Sequence, residues 1–445
     1  MKDASGGFRL PPTASTTLTN GLRVHAMEHR ALPMVAFDLI VCAGAAHDPP
    51  GREGLADLTA DLLRKGTAAR SAHQIADAVD FVGGALEGSS DQDGTRLTGE
   101  FLSKDLDMAL DLLAEVVMAP AFAEEEVERL KGETIAELQG MRENPGLLAS
   151  RRFADVLFAG HPYGHPNPGW ESTVAAITRD DVKRFYEARY RPEDIILVAA
   201  GDLDSAEFLA GAEARFGGWA PAGSGGAVAS RELPEPRRSA GRSIYLIDKP
   251  DSTQSQIRMG GLGPQRTDPD YTRISVANTI MGGGFTSRLV EEIRVNRGLS
   301  YGVSSRFYPL VHSGAFLIST FTKNATTRET IEVALGVMAR FRDEGPTPEE
   351  LDKARRYLKG TFAIGHQSPG SMADAMADIA FYGLPRDYYD TYLERLEDVT
   401  QADVRRVSAR FPHDDMVILV LGQATEVGNE LETLGPVTAL PLVER

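Results

Sequence analysis

Cysteine is nearly absent: Cys42 stands alone among 445 residues. No internal disulfide can form, and a thiolate metal site, which needs several sulfur donors, is excluded. Cys42 falls in the apolar run MVAFDLIVCAG and is expected as a small buried hydrophobe. Basic charge is also short, with 47 Lys and Arg against 64 Asp and Glu and a net charge of −17. Nucleic acid is therefore not an expected partner, because phosphate binding needs a basic surface. Basic peptides suit an acidic surface or cavity better, though charge of this size also serves solubility alone. No apolar run reaches the roughly 20 residues of a membrane helix, so no membrane span is expected. The opening MKDASGGFRLPP has no apolar signal-peptide core, so the expected protein is soluble, cytoplasmic as written and periplasmic if a leader has been removed.

Histidine is scarce too, at nine residues. His25 and His29 sit in an extended run, where positions four apart do not converge as they do on a helix. His161 and His165 lie in HPYGHPNPG, a loop rich in Pro and Gly, and two imidazoles alone do not complete a zinc site. The run MGGGFTSR lacks the Gly-Lys-Ser/Thr ending of a phosphate-cradling loop.

The sequence does contain a repeat. The stretch APAGSGGAVASRELPEPRRSAGR has no apolar period and reads as a linker, taken as 223–240, between domains 1–222 and 241–445. TRDDVKRFYEARYRPEDIILVAAG begins at Thr178 and TQADVRRVSARFPHDDMVILVLG at Thr400, an offset of 400 − 178 = 222. Each reads as a capped helix, a turn and a buried strand. Asp155, Phe158 and Gly160 match Asp378, Phe381 and Gly383, all offset by 223. A repeat of this length implies two copies of one domain. Strands and amphipathic helices without strict alternation predict an α+β fold, helices packed on a mostly antiparallel sheet in each copy.

Within GLADLTADLLRKGT, residues 54–67, Leu55, Leu58 and Leu62 form an apolar helical stripe. Asp57, Ala60 and Asp61 share another face, where Asp61 can pair with Lys65 four residues on. Further along, GGGFTSRLVEEIRVNRGLSYGVSS predicts a helix over 287–296 with Leu289, Val290 and Ile293 inward. Gly298 ends that helix and Tyr301 begins a strand, a turn that brings Tyr301 back beside Arg294.

These two stretches, with NPG and HPYG between them, resemble the pitrilysin and mitochondrial-processing-peptidase family of zinc peptidases, the inverzincins. Gly54-Leu55-Ala56 and Lys65-Gly66-Thr67 match the frame around the family's His-x-x-Glu-His helix. Asp57, Ala60 and Asp61 stand at its first His, catalytic Glu and second His, and Glu137 stands at its distal Glu ligand. The resemblance thus implies a degenerate zinc motif, with one ligand retained, no general base and no metal expected in this chain. Arg294 and Tyr301 match the family's Arg/Tyr pair. That implies catalytic and substrate-binding roles, reaching across a chamber to a zinc site in another half-molecule. The implied protein is half of a clamshell: the zinc-less subunit of a heterodimeric metalloendopeptidase acting on unfolded peptides. Zinc is then expected in a homologous partner bearing His-x-x-Glu-His. The alternatives are a purely structural core-type subunit, and a hydrolase holding an ion at Asp57, Asp61 and Glu137.

Overall fold

The structure is a computed structural model that describes residues 8–220, 233–238 and 240–442. Most of the expected linker, 223–240, lies outside the described residues. The fold is α+β, with two six-stranded sheets. Sheet one contains β1 (Thr13–Thr17), β2 (Arg23–Glu28), β3 (Met34–Val41), β4 (Ala85–Ser90), β5 (Thr95–Leu102) and β6 (Ile195–Gly201), in the order β1-β2-β6-β3-β5-β4. Sheet two contains β7 (Ser243–Asp248), β8 (Gln254–Gly263), β9 (Val303–Tyr308), β10 (Gly314–Lys323), β11 (Val417–Gly422) and β12 (Val437–Leu440), in the order β12-β7-β11-β8-β10-β9. Both are mixed and mostly antiparallel: only β2–β6 runs parallel in the first, and β7–β11 and β12–β7 in the second.

The compact units do not follow the two halves of the sequence. One unit gathers 1–139, 165–233 and 363–390; the other gathers 140–164, 234–362 and 391–445. The strands show why such an exchange is needed. β6 reads IILVAAG and β11 reads VILVLG, and every residue of both is buried. A strand apolar on both faces requires a cover on each face. In the first unit Val35, Phe37, Leu39 and Leu197 point into one core, while Ala36, Ile40, Ile196 and Val198 point into another. The second core is completed by Met372, Ala373, Met376 and Ala377 of helix Pro369–Tyr382, a piece of the later half of the chain. Ser368 caps that helix, accepting from the Ser371 N–H, and Pro369 follows at its first turn. Cys42 borders this core, half-buried.

The second unit repeats the device in reverse. Helix Pro145–Leu157, from the earlier half, packs on β8 and β11. Asn144 caps it by accepting from the Leu147 N–H. Arg258 of β8 is only 5% exposed and holds it from below, donating from Nη2 to the Gly146 carbonyl at 2.7 Å and from Nε to Ser150 Oγ at 2.8 Å.

Fragment 1–222, lacking helix Pro369–Tyr382, is expected to leave the Ala36/Ile40/Val198 face bare, bind the dye ANS strongly and aggregate. Monomeric, ANS-negative material with cooperative urea unfolding would show that the face does not need this cover. In the full chain, Met372→Ala is expected to cost about 2–5 kcal/mol in urea unfolding, the usual range for truncating a buried Met.

Candidate functional site

Helix Leu55–Leu62 begins after Gly54, whose φ of 100° suits glycine. The buried Asp48 carboxylate holds its start, accepting from the N–H groups of Gly54 at 2.7 Å and Ala56 at 2.8 Å. Leu55, Leu58 and Leu62 are buried, as the apolar stripe predicts. Ala60 is fully buried, and β4 crosses close to it: a Cβ built on Gly88 would lie 2.8 Å from the Ala60 carbonyl oxygen.

Asp57 accepts from the Ser90 N–H at 3.3 Å. Burial, then the charges of Asp61 and Glu137, push its carboxyl up to about 6, against the hydrogen bond from Ser90. The degenerate positions thus remain neighbours. The expected Asp61–Lys65 pair is not formed; the helix ends at Leu62, and Asp61 instead takes the guanidinium of Arg64 just beyond it at 2.9 Å. Arg64 is the better partner because it also reaches back to β4, donating to the Leu86 carbonyl at 3.2 Å.

Zinc does not fit these residues. They offer only carboxylate oxygens where tight tetrahedral zinc sites use nitrogen or sulfur, and a guanidinium already engages Asp61. Among the described residues, no group of three or more His, Cys, Asp or Glu is arranged to hold a metal ion. The histidines have other roles: His25 meets Ser15 at 2.8 Å, His161 meets the Pro234 carbonyl at 2.7 Å, and His165 lies 3.1 Å from the Pro166 carbonyl.

The second stretch carries Arg294 and Tyr301. Leu289, Val290 and Ile293 are buried as expected. Val290–Asn296 is wound as a π-helix, and Gly298 at φ 61° turns the chain out of it. Tyr301 does not begin the strand; β9 starts at Val303, and Tyr301 stands free of the sheet with 78% of its surface exposed. The expected approach does occur. The Arg294 Cζ lies 4.7 Å from the Tyr301 ring centre and 5.1 Å from that of Phe285.

Phe285, 76% exposed, was not singled out by the sequence. Its signal was a lone aromatic after three glycines. Gly282 presses on β9, where a Cβ would come within 2.5 Å of Ser305 Oγ, so a side chain there would displace the loop that carries Phe285. No hydrogen bond or ion pair to Arg294, or to the Tyr301 hydroxyl, occurs among the described residues; what holds the pair together is the ring contact.

Comparison with known proteins places the chain as a whole. A family profile described as insulinase (peptidase family M16) matches residues 24–166, and one described as the peptidase M16 inactive domain matches 176–358. The crystal structure of a peptidase M16 inactive domain from Pseudomonas fluorescens superposes with a TM-score of 0.86 at 31% identity, covering 92% of this chain and 98% of that one. This chain belongs to peptidase family M16. An uncharacterized zinc protease of Streptomyces coelicolor is 28% identical over 395 residues, 88% of this chain and 86% of its own. A Helicobacter pylori protein named a non-peptidase homolog is 25% identical over 380 residues, 85% of this chain and 86% of its own. M16 relatives of this chain thus carry both kinds of name. No helix among the described residues of this M16 chain is long and apolar enough to cross a membrane.

Two outcomes follow from the carboxylate cluster. Metal analysis of the purified chain is expected to find no stoichiometric zinc; one tightly bound equivalent would overturn the misfit argued above. Asp57→Asn should also stabilise the protein at neutral pH. A carboxyl raised from 3.8 to about 6 in the folded state adds stability below its unfolded value that is lost as pH rises through 6. The amide keeps the neutral form at every pH. The variant's advantage in urea unfolding should therefore be nearly absent at pH 3.5 and reach about 3 kcal/mol above pH 7. A pH-independent difference would show that Asp57 does not titrate in this way.

Proposed function

We propose that this chain is a catalytically incomplete M16 subunit that works in a heterodimer with a homologue bearing His-x-x-Glu-His, on unfolded peptides. The observation that carries the reading is the Phe285–Arg294–Tyr301 stack. Two exposed rings hold one guanidinium, and the donors of Arg294 and the Tyr301 hydroxyl are unspent. Stacking on an exposed ring contributes only about 0.5–1 kcal/mol, too little to explain two large rings left in water for stability's sake. Free donors beside each other suit the oxygen of a peptide carbonyl and the charge that grows on it during hydrolysis. In this reading the partner supplies zinc and general base, and this chain positions the peptide. Asp57, Ala60 and Asp61 cannot replace the partner: Ala60 accepts no proton, and Asp61 is tied to Arg64.

The test is cleavage of a long fluorogenic peptide by the reconstituted pair at matched zinc occupancy; the chain alone is expected to cleave nothing. Tyr301→Phe should lower kcat, and loss of one oxyanion donor typically costs about 2.7–4 kcal/mol, a hundred- to thousandfold. Arg294 remains in that variant, so the smaller figure is expected. Arg294→Ala should lower kcat and raise KM, since a guanidinium also holds the ground state. Phe285→Leu should act mainly on KM, by freeing the guanidinium. Wild-type rates in both the Arg294 and Tyr301 variants would reduce this chain to a structural core-type subunit.

A further inference from the structure

On the face of sheet one turned toward helix Pro369–Tyr382, Arg96, Thr98 and Glu100 alternate along β5. Asp38 of β3 and Glu87 of β4 are both register partners of Thr98, and Glu100 pairs with Ala36 and Ala85. The helix covers β3 and β6 and brings Gly370 and Asp374 to the margin of a cavity of about 280 Å³. Asp38, Glu87, Glu100 and Asp374 line it, with no basic side chain among its walls. Asp38 is 1% exposed. Its Oδ2 takes Arg96 at 2.5 Å, while its Oδ1 has no hydrogen-bond partner. A buried carboxylate oxygen without a donor is costly.

The duplicated unit shows what such a place accepts. Asp38 pairs across the sheet with Val198, and Arg258 pairs with Leu419. The offsets, 258 − 38 = 220 and 419 − 198 = 221, make Asp38 and Arg258 equivalent positions of the two repeats. Gly370 and Gly146 are likewise equivalent, each directly after the Pro that opens its helix. In the second unit this space holds Arg258's own guanidinium, against the Gly146 carbonyl. In the first unit the charge is reversed: the Glu100 carboxylate stands nearest Gly370, 2.7 Å from where a Cβ there would lie, and the cavity opens beside it. No three of the described carboxylates converge for a metal ion, while the cavity has room for an ammonium or guanidinium head. β4 is the outermost strand and Ala85 and Glu87 are exposed, so a chain passing outside can send one side chain inward.

We propose that this cavity binds the ammonium or guanidinium head of a lysine or arginine side chain from an extended peptide. The site lies within one unit of this chain and does not depend on the roles given to Arg294 and Tyr301. The test uses the full chain at 0.15 M salt with a fluorescein-labelled peptide carrying one lysine among alanines, its norleucine counterpart, and spermidine as competitor. The lysine peptide should bind at least tenfold tighter than the norleucine peptide. Glu87→Gln/Asp374→Asn should abolish that preference. Asp38 is left intact because it carries the Arg96 pair. Glu124→Gln/Glu125→Gln, an equal change of charge on an exposed helix start, should preserve the preference. Equal affinity for both peptides would overturn the site. So would an equal loss in the control variant, or binding of spermidine without the lysine peptide.

Discussion

Each sheet contains a central strand that is apolar on both faces, and everything else follows from covering the second face. β6 and β11 cannot face water, and in each unit the missing cover is a single helix taken from the other half of the sequence. Helix Pro369–Tyr382 serves sheet one and helix Pro145–Leu157 serves sheet two. Each unit's stability is therefore tied to chain far away in sequence, and neither half is a self-contained domain in the sense that its cores close locally.

The exchange also explains why charge is tolerated in the middle of these sheets. A charged side chain under a covering helix must be completed by hydrogen bonds or an opposite charge. Arg258 meets this condition with the first turns of its helix, and burial lowers it only to about 10, so it stays charged at neutral pH. Asp38 meets it half-way. Arg96 secures one oxygen, yet burial still pushes the carboxyl up to about 6, and Asp374 and Asp378 add to that push. The two repeats thus solved one packing problem with opposite charges, and only the arginine solution is closed within its own unit.

Much of this was legible in the sequence, and the illegible parts have physical reasons. Leu55, Leu58 and Leu62 were readable because a buried helix face imposes its period on neighbouring residues. The capped helices at Thr178 and Thr400 were readable because a cap is a local hydrogen bond, and both form as capping boxes. The Arg294–Tyr301 approach was readable because Gly298 turns the chain between them within a few residues. The helix exchange was not: NPG and SPG announce helix starts, but nothing local says which sheet a helix will cover. Asp61 chose Arg64 over Lys65 because Arg64 also finds a carbonyl on β4, a contact that i,i+4 spacing cannot see. Phe285 was missed for a related reason, since its partner lies nine residues away across a glycine loop.

The two candidate sites differ in what the fold asks of them, and that difference bears on function. At the degenerate zinc position the substitutions are absorbed by packing. Ala60 is buried under β4, Gly88 allows that strand to lie against it, Asp61 is neutralised by Arg64 and Asp57 is held by Ser90. Those residues have local structural partners, so their presence there needs no catalytic explanation. The Arg294 stack has the opposite character. Among the described residues its guanidinium is held only by two rings that are themselves mostly in water, and removing either ring would uncover little core. Structure alone gives no reason for three large side chains to be arranged in this way, with the donors of two of them unspent. The proposed function would account for it: an acceptor oxygen brought to that surface would meet a guanidinium and a phenol side by side, both with donors to offer.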